Sequence, residues 1–245
     1  MENMARRSKS HLKAIMRRLQ SYLNWPPIGR VRLGDLDRTR PISRDRGFER
    51  GLPVDRHFIE SFLSRHTTDI KGRVLEVKDN TYTLRYGGDR VTRSDIIHKG
   101  SNNPNATISA DLSDAAEIPS DIFDCIICTQ TLHLIYDVAG AVNTLHRILR
   151  PGGVLLATVP ALSRITRDEA DSYTDYWRIT SAAARELFAT PFGASEVQVE
   201  AHGNVYAAVT FLHGLAVQDV DRRKLDDVDS DFEVLIGIRA RKSPR

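Results

Sequence analysis

From residue 73 onward the sequence repeats one pattern: a run of five to nine residues rich in branched apolar side chains, followed by a polar or helically spaced stretch, then another run. The runs are RVLEV (73–77), RVTRSDII (90–97), ATISADL (106–112), DCIICTQ (124–130), GVLLATVP (153–160), EVQVEAH (196–202) and FEVLIGIRA (232–240). Branched residues in such short runs predict strands. Three intervals read as helices: AGAVNTLHRIL, which stops at Pro151 and Gly152, TSAAARELF with Thr180 as its N-cap, and VYAAVTFLHGLA. A fourth helix precedes the first strand, where VDRHFIESFLSRH sets Phe58, Ile59, Phe62 and Leu63 on one face. Alternating strands and helices predict an α/β fold, a mostly parallel sheet with helices on both faces.

The first fifty residues differ in character. They hold 13 Lys plus Arg against 5 Asp plus Glu, whereas the remainder of the chain is mildly acidic. In ARRSKSHLKAIMRRLQSYL, Leu12, Ile15, Met16, Leu19 and Leu23 recur at helical spacing, with Arg6, Arg7, Lys13, Arg17 and Arg18 on other faces. This basic helix could touch nucleic acid, an anionic membrane or an acidic partner, dock a partner enzyme or a second copy, or pack on its own domain with a solvated face. Nothing in it resembles a base-reading module, so nucleic acid is not expected. Residues 24–52 are rich in Pro, Gly and charge, which predicts a lid or linker. The expected division is therefore a basic N-terminal helix with its lid or linker over 1–52 and an α/β domain over 53–245.

With 41% hydrophobic residues among 245, one full-sized domain core is affordable. No apolar run is long enough to cross a bilayer, and no apolar segment with a cleavage site opens the chain, so a cytoplasmic protein is expected. The C-x-x-C of Cys125 and Cys128 lacks a second ligand pair, which predicts buried strand residues rather than a metal site.

In an open α/β sheet, ligands gather at the carboxyl ends of the strands. Glu76, Asp95 and Asp111 stand near the ends of the first three predicted strands, and Glu76 and Asp95 are separated by roughly the 20-residue interval at which a second-strand carboxylate meets ribose hydroxyls.

VLEV, SDII, ADLSD, FDCIICTQTLHLI and LRPGGVLLATVP follow one another as they do in class I S-adenosylmethionine-dependent methyltransferases, and the chain resembles the type 11 group of that family over about residues 54–240. The resemblance implies a Rossmann-like, seven-stranded sheet of order 3-2-1-4-5-7-6 with FEVLIGIRA as the antiparallel last strand. It implies that Glu76 with Val77 and Lys78 meets the amino acid part of S-adenosylmethionine, Asp95 with Ile96 the ribose, and Asp111 with Leu112 the adenine. Thr129, Gln130 and Thr131 would lie under the methionine moiety, with His133 facing the acceptor.

One motif departs from the family. A glycine is expected directly after Val77, where the backbone must turn tightly, and Lys78 stands there, followed by Asp79 and Asn80. Three outcomes compete: Lys78 points away while Asp79 or Asn80 takes up left-handed backbone, its ammonium reaches the cofactor carboxylate, or it fills the pocket. Only TYTLRYGGD separates this turn from the second strand, so the intervening helix is short.

For the chemistry, His133, Tyr173 and Arg178 are the candidate catalytic residues, with Asp175, Tyr176 and Trp177 nearby; Trp177 is expected to pack beneath the following helix. His57, His202 and Asn204 are further polar candidates, and Arg40, Arg44, Arg46 and Arg50 in the lid are candidate contacts for an anionic substrate. The expected activity is methyl transfer to oxygen or nitrogen of a small sugar-containing or secondary metabolite. The alternatives are a repurposed fold catalysing cyclisation, isomerisation or elimination in natural-product biosynthesis, or a non-catalytic partner subunit.

Overall fold

In a computed structural model, which describes residues 26–27, 29–100, 102–166 and 174–244, seven strands form one sheet of order β3-β2-β1-β4-β5-β7-β6. They are β1 (Gly72–Val77), β2 (Val91–His98), β3 (Ile108–Ser109), β4 (Phe123–Thr129), β5 (Leu149–Pro160), β6 (Val197–His202) and β7 (Leu235–Arg241). The pairs among β1 to β5 are parallel, while β7 runs antiparallel to both β5 and β6. The order and the antiparallel last strand are those expected from the sequence.

Among the described residues five α-helices accompany the sheet: α1 (Val54–Arg65), α2 (Val138–Ile148), α3 (Ser181–Phe192), α4 (Val205–Leu212) and the short α5 (Arg222–Leu225). Polar side chains start most of them. Asp137 accepts from the N–H of Gly140, Thr180 from Ala183 and Asn204 from Ala207, each satisfying a helix-end donor. Asn204 also donates to the carbonyls of Lys224 and Asp227, so its side chain is a structural clasp.

Two hydrophobic cores lie on the two sheet faces. One joins Leu75, Ile97, Phe123 and Ile126 to Leu145 of α2 and Phe188 of α3. The other joins Val74, Ile127 and Leu156 to Phe58 and Phe62 of α1 and Ala207 of α4. Cys125 and Cys128 are fully buried in different cores, each serving as a small packing residue whose thiol burial pushes far up its pKa.

The chain divides into two compact units, 1–41 and 42–245. The basic helix expected over residues 5–23 lies outside the described residues. Of the first unit, the described part contains one short turn, Gly34–Leu36. Residues 42–52, expected to be lid or linker, are built into the second unit. The N–H groups of Ile42 and Ser43 donate to the carbonyl of His213, Arg50 forms a forked pair with Asp219, and Pro53 bridges to Ala216. Among the described residues no helix is long and apolar enough to cross a membrane.

Strand bounds shift in several places, with β5 beginning at Leu149 instead of 153 and β7 at Leu235 instead of 232, and two of the shifts bear on the site. The third shrinks from 106–112 to Ile108–Ser109, an edge strand paired only to Ile97 and His98. The second runs one residue further, to His98, and that shift matters for the site.

Candidate active site

At the carboxyl ends of β1, β2, β3 and β4 the second unit encloses a cavity of about 1150 Å³. This is where ligands collect in open α/β sheets, and the volume is ample for a nucleoside-bearing molecule together with a small acceptor.

β1 delivers Glu76, Val77 and Lys78 to the cavity. Glu76 is almost fully buried, and its two carboxylate oxygens accept the N–H groups of Tyr82 (3.2 Å) and Thr83 (2.7 Å). It thus caps the short helical stretch from residue 81, which continues as a wide π turn over Thr83–Gly87. Burial raises its pKa to about 7 against the opposing effect of those donors. Lys78 adopts left-handed backbone with φ of +79°, the conformation that glycine accepts most readily. Its N–H donates to the carbonyl of Ile97, and its own carbonyl accepts from Asn103 Nδ2. Of the three outcomes open at this turn, the left-handed residue is Lys78 itself, not Asp79 or Asn80.

The end of β2 differs from expectation. Asp95 pairs in register with Leu75, below the end of the sheet, and neither it nor Ile96 lines the cavity. Instead its buried carboxylate binds Arg73 (2.7 Å), Arg93 (3.1 Å) and the Thr107 hydroxyl (3.2 Å). Burial opposes its ionisation, but the two guanidinium groups outweigh that and lower its pKa. The residues that reach the cavity from β2 are Ile97 and His98, followed by Lys99. The abbreviated connection after β1 brings β2 in early, so the 19-residue interval ends inside the strand rather than at its tip. His98 and Lys99 were missed by counting from Glu76; the signal available was the apolar pair Ile96–Ile97 continuing the strand up to Gly100.

Asp111 and Leu112 line the cavity after β3. Asp111 pairs with Lys99 at 2.7 Å and accepts from the N–H and hydroxyl of Ser113; burial opposes ionisation, and these partners outweigh it. After β4 come Thr129, Gln130 and Thr131, all lining, with Gln130 also left-handed at φ +48°. His133 follows in a single 3-10 turn, Leu132–Leu134. It is 5% exposed, lines the cavity, and its Nδ1 has no hydrogen-bond partner. Burial lowers its pKa to about 4, outweighing the field of Asp175.

The remaining sequence candidates separate. Arg178 does not line the cavity; it grips Asp175 and the carbonyls of Arg164 and Trp177. Tyr173 lies outside the described residues. Trp177 does not pack beneath α3 but is 38% exposed, with Nε1 donating to the carbonyls of Ile135 and Tyr136. Tyr176 lines the cavity and meets Tyr136 edge to face at 5.4 Å. Arg46 lines it too, whereas Arg50 is occupied by Asp219. His57 and His202 lie in a separate, smaller hollow with Glu200 and Asp226, where His57 Nε2 is 2.8 Å from Asp226. Arg56 and Tyr82, absent from the sequence reading, also face the main cavity, linked at 3.4 Å. They come from α1 and the helical stretch just before the π turn, and no local spacing marks them.

Residues 71–157 match the family model described as a methyltransferase domain. A curated ubiquinone/menaquinone biosynthesis C-methyltransferase, UbiE, from Marinomonas sp. (strain MWYL1) is 25% identical over 124 residues, covering 42% of this chain and 47% of that protein. The match therefore spans about half the length of that relative. Among solved structures, a protein provisionally assigned as a sarcosine dimethylglycine methyltransferase, from Galdieria sulphuraria, shares the fold with a TM-score of 0.51 at 12% identity over 76% of this chain and 86% of its own. An S-adenosylmethionine dependent methyltransferase from Mesorhizobium loti has a TM-score of 0.47 at 16% identity, over 77% and 98%.

Proposed function

We propose that this chain, whose residues 71–157 match a methyltransferase domain, is a class I methyltransferase that transfers a methyl group from S-adenosylmethionine to an oxygen or nitrogen of a small molecule. The observation that carries this reading is the cavity at the strand ends, bounded by Glu76 to Lys78, Asp111 with Leu112, and Thr129 to Thr131. Those residues fit the cofactor. Position 78 keeps the left-handed turn a glycine would make, Asp111 is an ionised acceptor beside an apolar Leu112, and the threonines bring hydroxyls to the floor.

Bound there, the cofactor would supply an electrophilic methyl carbon on sulfur. The chain's own contribution is placement, which carries most of the rate when no covalent intermediate is needed. With its proton on Nε2, neutral His133 offers Nδ1 as an acceptor for the O–H or N–H of the incoming group, and Arg46, Phe48 and Leu52 line the same cavity. A low pKa makes His133 a weak base, so its part is orientation of the donor more than outright proton removal.

The end of β2 favours a second reading. Where the family resemblance puts a carboxylate, this chain has His98 and Lys99. A member of the fold that converts a pathway intermediate without spending the methyl group would tolerate that change. One experiment separates the two: calorimetric titration with S-adenosylmethionine and S-adenosylhomocysteine, followed by incubation of the methyl-labelled cofactor with small-molecule extract. Methyl transfer requires stoichiometric micromolar binding and label in a new small product. Silence at millimolar cofactor rejects the proposal, and turnover of an intermediate with the label retained on the cofactor supports the second reading.

A further inference from the structure

Two polar groups in the cavity are held in place yet satisfy nothing in the protein. The first is Arg46. Its backbone is left-handed, φ +57°, a conformation that costs an L-residue about 1–2 kcal/mol. The surrounding turn enforces it: the buried Ser43 hydroxyl accepts the N–H groups of Asp45 and Gly47, both at 3.0 Å, while the N–H groups of Ile42 and Ser43 are tied to His213. Gly47 is equally constrained, because a Cβ there would sit 2.9 Å from the carbonyl oxygens of Gly214 and Leu215. Arg46 therefore arrives at the cavity on a rigid turn. Among the described residues its guanidinium makes no hydrogen bond and no close ion pair, and it reaches Asp55 and His133 only through its longer-range field. A strained position carrying an unsatisfied group is a feature of ligand clamps.

The second is the Nδ1 of His133, buried in the same cavity without a partner. With the ring proton on Nε2 this nitrogen is a buried acceptor left unmatched, which costs about 1–3 kcal/mol, so a ligand that donates to it recovers that amount. The rim above contains Tyr136, 72% exposed, set edge to face against Tyr176. Exposed rings at a cavity mouth suit a flat acceptor.

Resting on the methyl-transfer reading, we infer that the acceptor is a small anion, its carboxylate or phosphate paired with Arg46 while the O–H or N–H to be methylated donates to Nδ1 of His133. A guanidinium matches both anions with two parallel hydrogen bonds, and the pair is strengthened by the partial exclusion of water. In the reaction, the acceptor lone pair forms the new bond to carbon, the carbon–sulfur bond breaks with its electrons passing to sulfur, and the acceptor proton leaves to solvent past His133.

The test uses three probes on the full chain: para-hydroxybenzoate, para-hydroxyphenyl phosphate and neutral para-hydroxybenzamide, titrated by calorimetry with and without S-adenosylhomocysteine. At least one anion is expected to bind about tenfold or more tighter than the amide. Whichever anion binds more tightly identifies carboxylate or phosphate as the source. Arg46→Asn keeps a residue that accepts left-handed backbone and should erase the anion preference, while Arg46→Lys restores part of it. Equal binding of amide and anions, no binding of either anion, or a loss in Arg46→Asn shared equally by the amide overturns the inference. S-adenosylhomocysteine binding to the same proteins is scored separately: its absence from wild type rejects the methyl-transfer reading, whereas the anion preference is judged from the titrations without it.

Discussion

Lys78 and Glu76 carry opposite lessons about what one residue discloses. The departure at Lys78 is plain in the sequence, but lysine argues against the left-handed backbone it adopts, and only its hydrogen bonds to Ile97 and Asn103 show why the turn survives. Lys78→Gly should relieve the left-handed cost, partly offset by glycine's chain entropy, and raise stability by up to about 1 kcal/mol. A rise in the urea midpoint checks this; a clear fall would show that the lysine side chain supports the fold. Glu76 was expected to face the cofactor, yet both of its oxygens are engaged by backbone N–H groups. Its pKa is raised from 4.5 to about 7 by burial, so the folded state favours the protonated form. The stability it contributes is complete below about pH 4.5 and is lost as pH rises through about 7. Glu76→Gln removes that titration. The stability of wild type relative to the variant should therefore drop by a few kcal/mol between about pH 5 and about pH 8 in urea unfolding, and a gap independent of pH would contradict the assignment.

At the scale of elements, strand identity was legible and strand ends were not. Apolar runs located all seven strands, most plainly in the central parallel strands β1, β4 and β5, which are buried between helices and so apolar on both faces. The end of β2 depends on the length of the connection before it, and the π turn with its following 3-10 turn shortens that connection. Asp95 then becomes a clasp between Arg73 and Arg93 instead of a ligand contact. Asp95→Asn should cost about 1–3 kcal/mol, reduced from a fully buried pair because both arginines are partly exposed, while leaving S-adenosylhomocysteine affinity unchanged. Urea unfolding with calorimetry tests both halves. A large loss of affinity at unchanged stability would return Asp95 to the ribose.

Across the second unit, the half of the cavity that we propose takes the cofactor lies on consecutive strand ends and so appears in order along the chain. The half proposed for the acceptor does not. Arg46 comes from the segment before α1, Arg56 from α1, Tyr82 from the residues leading into the π turn, His133 and Tyr136 from the loop after β4, and Tyr176 from the segment after β5. No spacing rule links residues brought together from five places, which is why the fold and the lining at the strand ends were legible in the sequence and the opposite wall of the cavity only in part.

The central claim is that the cavity at the ends of β1 to β4 is the cofactor site. Amide hydrogen exchange with and without S-adenosylhomocysteine tests it most directly. The account predicts slowed exchange at residues 78–83, 97–100, 110–113 and 129–134, with no change at 200–203 or 225–228 around the smaller hollow. Protection centred on the smaller hollow, or none at saturating ligand, would contradict it.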